Sequence, residues 1–253
     1  MDFRLDGKVA IVTGGASGIG RGISEAMGQS GAKVLLTYYQ SDQGAAETVA
    51  AIEQAGGSAY AMPADLTDEA ENDRMVEAAV EHFGRLDVLV ANSGGLLRRS
   101  RVAECSLELW NQALAINLTS TFLSCRAALR YMEPQGSGSI ITTSSLAAHD
   151  GGANGATHYA VAKAGVLTFT KALAKEVGPL GIRVNSVAPG LIGTQFHDRF
   201  STVEGRQAAV GRTPLGREGT PMDVAGAVVF LASPAAGLIT GEAIEVNGGQ
   251  GVF

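Results

Sequence analysis

Short runs of Val, Ile and Leu alternate along the chain with longer amphipathic stretches. Seven runs stand out: KVAIVT, KVLLTYY, SAYAM, LDVLVA, GSIITTS, IRVNSVA and EAIEV. Short apolar runs rich in β-branched residues predict strands, and the stretches between them have the length of helices. This alternation predicts an α/β fold with a mostly parallel sheet that is covered by helices on both faces.

One helix is predicted over residues 69–83, where Met75, Ala79 and Phe83 recur at the spacing of a single buried helical face. Thr67 and Asp68 precede it and are typical capping residues. The pattern therefore predicts both the start of this helix and the face that it buries.

The segment 191–219 lacks such periodicity and contains several glycines and charges of both signs. A long connection of this kind predicts a substrate lid. Directly after it, Thr220, Pro221 and Asp223 have the spacing of a capped helix start. No repeat, low-complexity tract or shift in composition divides the chain, so a single domain over residues 1–253 is predicted.

Composition and charge exclude several classes of function. The chain is 45% hydrophobic and 17% charged, and its formal charge of -6 gives no reason to expect nucleic acid or an anionic membrane as a partner. The N-terminal residues lack the pattern of a signal peptide, and the apolar stretch VAGAVVFLASPAAGLI is too short to span a bilayer. Cys105 and Cys125 lack metal-ligand or redox spacing and are interpreted as buried thiols. These features predict a cytoplasmic protein that binds a small molecule and no metal.

A glycine-rich turn follows the first predicted strand. Gly14, Gly18 and Gly20 lie between that strand and a predicted helix. Glycine allows a pyrophosphate to approach the backbone closely, and the helix N-terminus offers free N–H groups. The spacing G-x-x-x-G-x-G indicates a dinucleotide site, although a purely structural turn is the alternative interpretation.

Tyr159 and Lys163 are four residues apart, so a helix places both side chains on one face. A phenol with its ordinary pKa of about 10 is a poor base at neutral pH, and a nearby positive charge improves it. From these two residues alone, a solvated helix pair is the alternative. Ser144 and Ser145 end the strand-like run IITTSS, at the edge where open α/β sheets bind ligands.

Motifs along nearly the whole chain resemble those of the short-chain dehydrogenase/reductase family. In chain order they are TGGASGIG, PADLTD, LVANSGGL, AINLTSTF, IITTSSLAA, YAVAK, VNSVAPGLIGT and EVNGG. The resemblance implies a doubly wound, Rossmann-like sheet of about seven strands. It also implies an enzyme that transfers hydride between a nicotinamide and a small carbonyl compound or secondary alcohol, as in sugar and alcohol dehydrogenases and in 3-oxoacyl-[acyl-carrier-protein] reductases.

The resemblance implies a role for each catalytic residue. Tyr159 is the general acid/base, Lys163 stabilises its anion and touches the ribose, and Asn117 links the lysine to water. Ser145 donates to the substrate oxygen, with Ser144 as the alternative. The loop between Ser145 and Tyr159 is one residue longer than is common in the family. A non-catalytic nucleotide-binding protein is the competing reading, and the presence of all four catalytic residues argues against it.

The implied cofactor site draws on motifs from the whole chain. Its residues are Gly14, Ser17, Gly18, Ile19, Gly20, Tyr38, Tyr39, Gln40, Ser41, Asp65, Leu66, Asn92, Gly94, Tyr159, Lys163, Pro189, Gly190, Ile192 and Thr194. The resemblance implies no metal ligand, and it implies a homotetramer.

Cofactor preference depends on the end of the second strand, VLLTYYQSD. Relatives that use NAD carry an aspartate at the position of Tyr38, where it binds the adenosine ribose. Its absence favours NADP(H). NAD(H) or dual use stays open, because the Arg or Lys that many NADP-using relatives carry is also missing. Asp42, the nearest carboxylate, is predicted to cap the helix that starts at Gln43.

Substrate-binding residues are predicted from their position in loops near the serine and in the lid. They are Leu96, His149, Asn154, Gln195 and His197. Polar side chains at these positions suit a sugar, uronate, polyol or ketone. Arg98, Arg99 and Arg101 form either a solvated loop or a site for a carboxylate or phosphate.

A free small substrate is preferred to one carried by an acidic carrier protein. The segments YMEPQGSGS and GPLG, which precede the serine strand and follow the tyrosine helix, contain no Lys or Arg. Electrostatic attraction of an acidic carrier protein is therefore expected to be weak. A 3-oxoacyl-[acyl-carrier-protein] reductase remains the alternative function.

Overall fold

A computed structural model describes residues 3–253, and its seven strands form one parallel sheet. The strands are β1 (Val9–Val12), β2 (Lys33–Tyr38), β3 (Ser58–Pro63), β4 (Val88–Ala91), β5 (Gly138–Thr143), β6 (Ile182–Pro189) and β7 (Ala243–Val246). Their order in the sheet is β3-β2-β1-β4-β5-β6-β7, and each neighbouring pair is parallel. This order confirms the predicted doubly wound α/β fold, with the switch point between β1 and β4.

Helices connect the strands and cover both faces of the sheet. They are α1 (Gly18–Gln29), α2 (Asp42–Gln54), α3 (Glu69–Phe83), α4 (Leu107–Leu114), α5 (Ser120–Gln135), α6 (Ala147–Asp150), α7 (Thr157–Val177), α8 (Gln195–Phe200), α9 (Val203–Arg212) and α10 (Pro221–Ala232). The helices α1, α2 and α10 pack on one face, and α3, α5 and α7 pack on the other. Short 3-10 turns lie at Val102–Glu104, Gly178–Leu180 and Pro234–Ala236.

The central strands are apolar throughout because both faces of the sheet are buried. In β1, Ala10 and Val12 belong to the core under α1, while Val9 and Ile11 belong to the core under α3. Side chains alternate between faces along a strand, so each strand supplies both cores. Burial of each large aliphatic side chain stabilises the fold by about 1.5–3 kcal/mol.

The two helix starts predicted from capping residues are confirmed. The Asp68 carboxylate accepts from the N–H of Ala70 at 2.8 Å, and α3 spans Glu69–Phe83 as predicted. At α10, the Thr220 hydroxyl accepts from the N–H of Asp223 and the Asp223 carboxylate accepts from the N–H of Thr220. This reciprocal pair is a capping box.

Two local expectations are corrected. Asp42 does not cap α2: it is the first residue of that helix, and Ser41 occupies the capping position. An acid there still interacts favourably with the helix N-terminus. Of the two thiols, Cys125 is fully buried but Cys105 is only partly so, since Cys105 follows a 3-10 turn at the surface.

The predicted lid segment contains two short helices, α8 and α9. Neither helix buries a residue completely, which explains the absence of a hydrophobic period in the sequence. The two ends of the segment meet: Gly219 N–H donates to Leu191 O at 2.9 Å, and Gly193 N–H donates to Gly219 O at 2.8 Å. Movement of this segment as a lid stays a prediction.

The search for membrane-spanning helices covered residues 3–253, and no helix there has the length and apolar character to cross a bilayer.

We expect Thr220→Ala to lower the free energy of unfolding by about 1 kcal/mol, because the capping box of α10 is lost. Urea denaturation measures this change. Thr202→Ala is the matched control, since the Thr202 hydroxyl caps α9 by accepting from Gly205 N–H at 3.0 Å. The helix α9 has no buried residue and can unfold locally, so the control should have less than half the effect. Equal losses would contradict this distinction.

Candidate active site

A cavity of about 1600 Å³ extends along the carboxyl ends of the strands. Such a volume accommodates a dinucleotide together with a small substrate. Nearly all the site residues predicted from the sequence line this cavity, although they come from loops far apart in the chain. The exceptions are Asn117, which is buried beneath the cavity wall, and His149.

The glycine turn between β1 and α1 fits a pyrophosphate. Gly14 and Gly18 have positive φ angles of 63° and 51°, and a Cβ on Gly20 would lie 2.1 Å from Gly14 O. Side chains are therefore disfavoured at these three glycine positions. The first turn of α1 contains no acid, and the Ser17 hydroxyl does not cap the helix, so its free N–H groups remain available to an anion.

The end of β2, where the adenosine ribose is predicted to bind, has no free positive charge among the residues that line the cavity. Tyr38 is partly buried and its hydroxyl bonds to Asp42; burial, followed by this contact, raises the pKa of the phenol. Arg21, the arginine of the glycine motif, is bound by Glu25 and Glu47 at 2.8 Å each. Tyr39 is 66% exposed and, with Gln40 and Ser41, forms the outer rim.

Asp65 and Leu66, which the family resemblance implies for the cofactor site, follow β3. Leu66 is buried, and one Asp65 carboxylate oxygen accepts from the N–H and hydroxyl of Thr67 at 3.0 and 2.7 Å. Asn92 also lines the cavity, but its amide donates to Thr13 O at 2.9 Å and joins β4 to β1. The Asn92 side chain therefore shapes the floor of the site.

Residues after β6 form the opposite wall. Gly190 N–H donates to Val246 O at 3.0 Å, and Ile192 pairs with Gly219. A Cβ on Gly18 would lie 3.5 Å from the Thr194 methyl group. The start of the lid segment thus lies directly over the glycine turn.

Ser145, Tyr159 and Lys163 converge at the end of β5. The Ser145 hydroxyl lies close enough to the Tyr159 phenol to oppose the rise in its pKa, and Ser145 Oγ accepts from Ala147 N–H at 3.1 Å. Ser144 Oγ instead donates to Lys163 O at 2.9 Å and is directed into the wall. Of the two serines, the geometry places Ser145 against the tyrosine.

Lys163 is buried behind the tyrosine. Its Nζ donates to Thr143 O at 2.7 Å and lies 5.8 Å from the centre of the Tyr159 ring. Burial lowers the pKa of the lysine to about 8. Burial also raises the pKa of Tyr159, and the hydrogen bond from Ser145 opposes that change. The expectation that the ammonium leaves this phenol with a lowered pKa is therefore wrong for the protein alone, because desolvation dominates.

Asn117 lies in a π-helical turn, Ala115–Thr119, between α4 and α5. Its amide donates to Ala113 O and Gly95 O at 2.9 Å each, and its Oδ1 accepts from Gly95 N–H at 3.0 Å. A Cβ on Gly94 would lie 2.4 Å from Asn117 Oδ1 and 3.3 Å from Lys163 Nζ. Gly94 therefore allows the asparagine and the lysine to approach the same point, at a π-bulge of the kind common at functional sites.

The structure brings four of the five predicted substrate residues to the cavity: Leu96, Asn154, Gln195 and His197. His197 Nδ1 lies 3.0 Å from Ser201 Oγ, and burial lowers its pKa. His149 does not line the cavity, contrary to the expectation from its position in the loop. Its ring pairs with Glu245 at 3.0 Å and stacks on Phe253 with centroids 4.1 Å apart.

Sequence reasoning missed an aromatic wall of the cavity. Phe196 and Phe200 line it from α8, and the Phe196 ring lies 6.1 Å from that of Tyr159. Their spacing of four residues on one helical face was the available signal. It was missed because residues 191–219 were treated as irregular. Thr143 Oγ1 also belongs to the lining residues and is buried without a hydrogen-bond partner.

No group of His, Cys, Asp and Glu side chains within residues 3–253 has an arrangement that would hold a metal ion.

Comparisons with known proteins match this chain over nearly its full length. A family profile described as enoyl-(acyl carrier protein) reductase covers residues 14–250. A 3-oxoacyl-[acyl-carrier-protein] reductase from Synechocystis is 39% identical, over 98% of this chain and 99% of the relative. An L-rhamnose 1-dehydrogenase (NAD(P)(+)) from Azotobacter vinelandii is 40% identical, over 96% of each chain.

Solved structures of dehydrogenases have the same fold. A 7α-hydroxysteroid dehydrogenase, complexed with NADH and 7-oxo glycochenodeoxycholic acid, superposes with a TM-score of 0.93 at 34% identity, over 98% of this chain and 96% of the other. A dehydrogenase/reductase from Sinorhizobium meliloti also has a TM-score of 0.93, at 34% identity over 99% and 98% of the two chains. The chain is therefore an oxidoreductase that belongs to the short-chain dehydrogenase/reductase family.

Proposed function

We propose that the protein is an NAD(P)-dependent oxidoreductase acting on a small carbonyl compound or secondary alcohol, with Tyr159 as the general acid/base. The observation that carries this proposal is the convergence of Tyr159, Ser145 and Lys163 beside the glycine turn in one cavity. A nicotinamide bound there would supply or accept the hydride. The turn residues and the N-terminus of α1 would hold its pyrophosphate.

Each residue of the cluster has a distinct task. In the reducing direction, the Tyr159 hydroxyl donates its proton to the carbonyl oxygen of the substrate, and the Ser145 hydroxyl donates a hydrogen bond to the same oxygen. Lys163 offsets the negative charge that develops on the phenol. In the oxidising direction, Tyr159 takes the proton of the substrate hydroxyl. A raised phenol pKa keeps Tyr159 protonated at neutral pH, which supports its role as a proton donor.

Asn117 is proposed as a positioning residue for Lys163. Its side chain is committed to Gly95 and Ala113, so it acts through the π-helical turn rather than on the substrate. The segment 191–219 is proposed as a lid, which is supported by its joined ends and by the position of Phe196 beside Tyr159.

For the cofactor we propose that NADP(H) is accepted, with NAD(H) also used. Position 38 is a tyrosine and not an acidic residue, so no carboxylate there repels a 2′-phosphate. This supports acceptance of NADP(H). Neutralisation of Arg21 by two glutamates argues against a strong preference. The NADH complex of the structurally similar 7α-hydroxysteroid dehydrogenase supports use of NAD(H).

A 3-oxoacyl-[acyl-carrier-protein] reductase is the second candidate, favoured by relatives such as the one from Synechocystis. We prefer a free small substrate, which the sugar dehydrogenase relatives support. We also propose a homotetramer, supported by the exposed Phe122 and Val161 on the adjacent helices α5 and α7; light scattering tests it.

We expect Tyr159→Phe to lower kcat by about 10²–10⁴-fold, because the proton donor is lost while the ring remains. Binding of NADPH and NADH, measured by fluorescence titration, should be retained. Tyr60→Phe is the matched control, since the Tyr60 ring contacts His82 with centroids 3.9 Å apart and does not line the cavity. Full turnover by Tyr159→Phe would refute the proposed role.

The rate of carbonyl reduction should fall as the pH rises through about 8. Lys163 is protonated below its lowered pKa of about 8 and loses its charge above it, so the phenolate that forms is no longer stabilised. The pH profile of kcat measures this. In Lys163→Arg the guanidinium stays charged, so any remaining activity should not decline in this range. A flat profile for the unmodified enzyme between pH 7 and 10 would contradict the assignment.

Tyr38→Asp should lower kcat/KM for NADPH by about tenfold or more, because a carboxylate there repels the 2′-phosphate. The value for NADH should be maintained or improved. Tyr38→Asn is the matched control, as it removes the ring without adding charge. If Tyr38→Asn discriminates against NADPH as strongly as Tyr38→Asp, charge is not the cause.

A further inference from the structure

The outer part of the cavity contains arginines that no carboxylate neutralises. Arg99 follows β4, while Arg199 and Arg212 lie on α8 and α9, and all three line the cavity. Within the described residues, Arg99 binds only backbone carbonyls, and Arg199 lies over the ring of Phe200 at 5.2 Å. Among residues 3–253, no carboxylate forms an ion pair with any of these three arginines.

Another arginine of the cavity lining, Arg206, is paired with carboxylates. Arg206 also lines the cavity, but Glu218 accepts from its Nε and Nη2 at 2.8 and 2.6 Å, and Asp198 accepts from its Nη1 at 2.5 Å. Two acids thus offset this guanidinium. Asp198 and Glu218, the acids of the segment 191–219 that form these ion pairs, both bind Arg206. Among the described residues, neither forms an ion pair with Arg199 or Arg212.

Arg99 is held in place by neutral groups. Its Nη1 donates to Asn154 O at 2.9 Å and its Nε donates to Phe200 O at 3.0 Å. The side chain therefore joins three walls of the cavity: the loop after β4, the loop after β5 and the end of α8. Carbonyl oxygens orient the guanidinium but do not cancel its charge, and its Nη2 has no protein partner among residues 3–253.

The backbone before Arg99 is constrained in a way that supports this placement. Leu97 has a φ of 63°, a left-handed conformation that is unfavourable for a leucine and clusters at functional sites. Gly155, in the longer loop after Ser145, has a φ of 75°, and a Cβ there would lie 3.1 Å from the Cβ of Arg99. Both loops are shaped to place Arg99 at the cavity.

Acidic residues do not cancel the positive charge at this end. Only Asp65 and Asp150 line the cavity among the described acids. Asp65 lies beyond β3, at the opposite side of the sheet from β5. Asp150 lies at the substrate end, where its carboxylate accepts from Gly152 N–H at 2.7 Å and offsets only one of the three arginine charges. The substrate end is therefore positive in a chain whose formal charge is -6.

We propose that the substrate carries a carboxylate in addition to its reacting carbonyl or hydroxyl group, and that Arg99 binds this carboxylate. The inference rests on the proposed function, because it places the anion in the same cavity as Tyr159. A guanidinium binds carboxylate oxygens through two N–H groups, and a site fixed in advance loses little entropy on binding. Arg199 and Arg212 add positive potential that attracts the anion.

Matched substrate pairs test this proposal, each with an anionic and a neutral member. The pairs are 3-oxobutanoate and its methyl ester, galacturonate and galactose, and glucose 6-phosphate and glucose, assayed in the appropriate direction with both cofactors. We expect the carboxylate member to have a kcat/KM about tenfold or more above that of its neutral partner. A preference for the phosphorylated sugar alone would overturn the carboxylate in favour of a phosphate ester.

The variant Arg99→Gln removes the charge and retains hydrogen-bonding capacity. We expect it to reduce kcat/KM for the carboxylate about tenfold, mainly through KM, and to change the neutral member by less than about twofold. Arg99→Lys should restore part of the preference. Arg98→Gln is the matched control, since Arg98 is exposed and does not line the cavity. Equal losses for both members in Arg99→Gln would show that Arg99 only holds the walls together, which overturns the proposal.

A binding measurement separates this inference from the proposed function. The melting temperature is recorded with NADPH plus 3-oxobutanoate, galacturonate or the neutral partners. Stabilisation by the carboxylates that is lost in Arg99→Gln and weakened by salt supports the inference even without turnover. Equal stabilisation of both proteins, or none, overturns it. Turnover of neutral members only would reject the inference and keep the oxidoreductase, whereas failure to bind NADH or NADPH would reject the proposed function.

Discussion

One buried hydroxyl joins the two halves of the sheet at the point where the site forms. Thr13, at the end of β1, accepts through Oγ1 from the N–H groups of Asn92 and Ser93, both at 2.9 Å, while the Asn92 amide donates to Thr13 O. This contact keeps the glycine turn and the loop after β4 adjacent. Gly20 lies so close that a Cβ there would be 2.7 Å from Asn92 Nδ2. The glycine turn after β1 and the loop after β4 are thus joined by one set of hydrogen bonds.

The chemistry of the cluster follows from burial at this junction. Lys163 and Tyr159 have pKa values displaced in opposite directions, because each favours its uncharged form when water is removed. The two values thereby move apart, from about 10 and 10.4 for the free groups, and the lysine now has the lower pKa. The phenol therefore holds its proton more strongly than the lysine does, and the Thr143 carbonyl accepts a hydrogen bond from Lys163 Nζ at 2.7 Å.

The outer part of the cavity is held together by polar contacts of arginine side chains, not by a packed apolar core. Its walls are loops and short helices held by arginines, with Arg206 closing an ion-pair network within the lid and Arg99 linking three loops through carbonyl oxygens. Exposed ion pairs contribute little stability. Loops of this kind change readily without disturbing the sheet, and in enzymes built on one fold such loops commonly set the substrate range.

The strands, their alternation with helices and the glycine turn are predictable from the sequence, since local periodicity and backbone geometry specify these features. Capping residues predicted α3 and α10, and ordered motifs predicted the catalytic set. Contacts between distant segments turn Ser144 toward Lys163 O, bring His149 to Glu245 and Phe253, and place Phe196 beside Tyr159. Among residues 3–253, Arg99 also lines the cavity without a carboxylate partner, which only these long-range contacts show. These outcomes depend on contacts between residues distant in the chain, and no local pattern encodes which loops will meet.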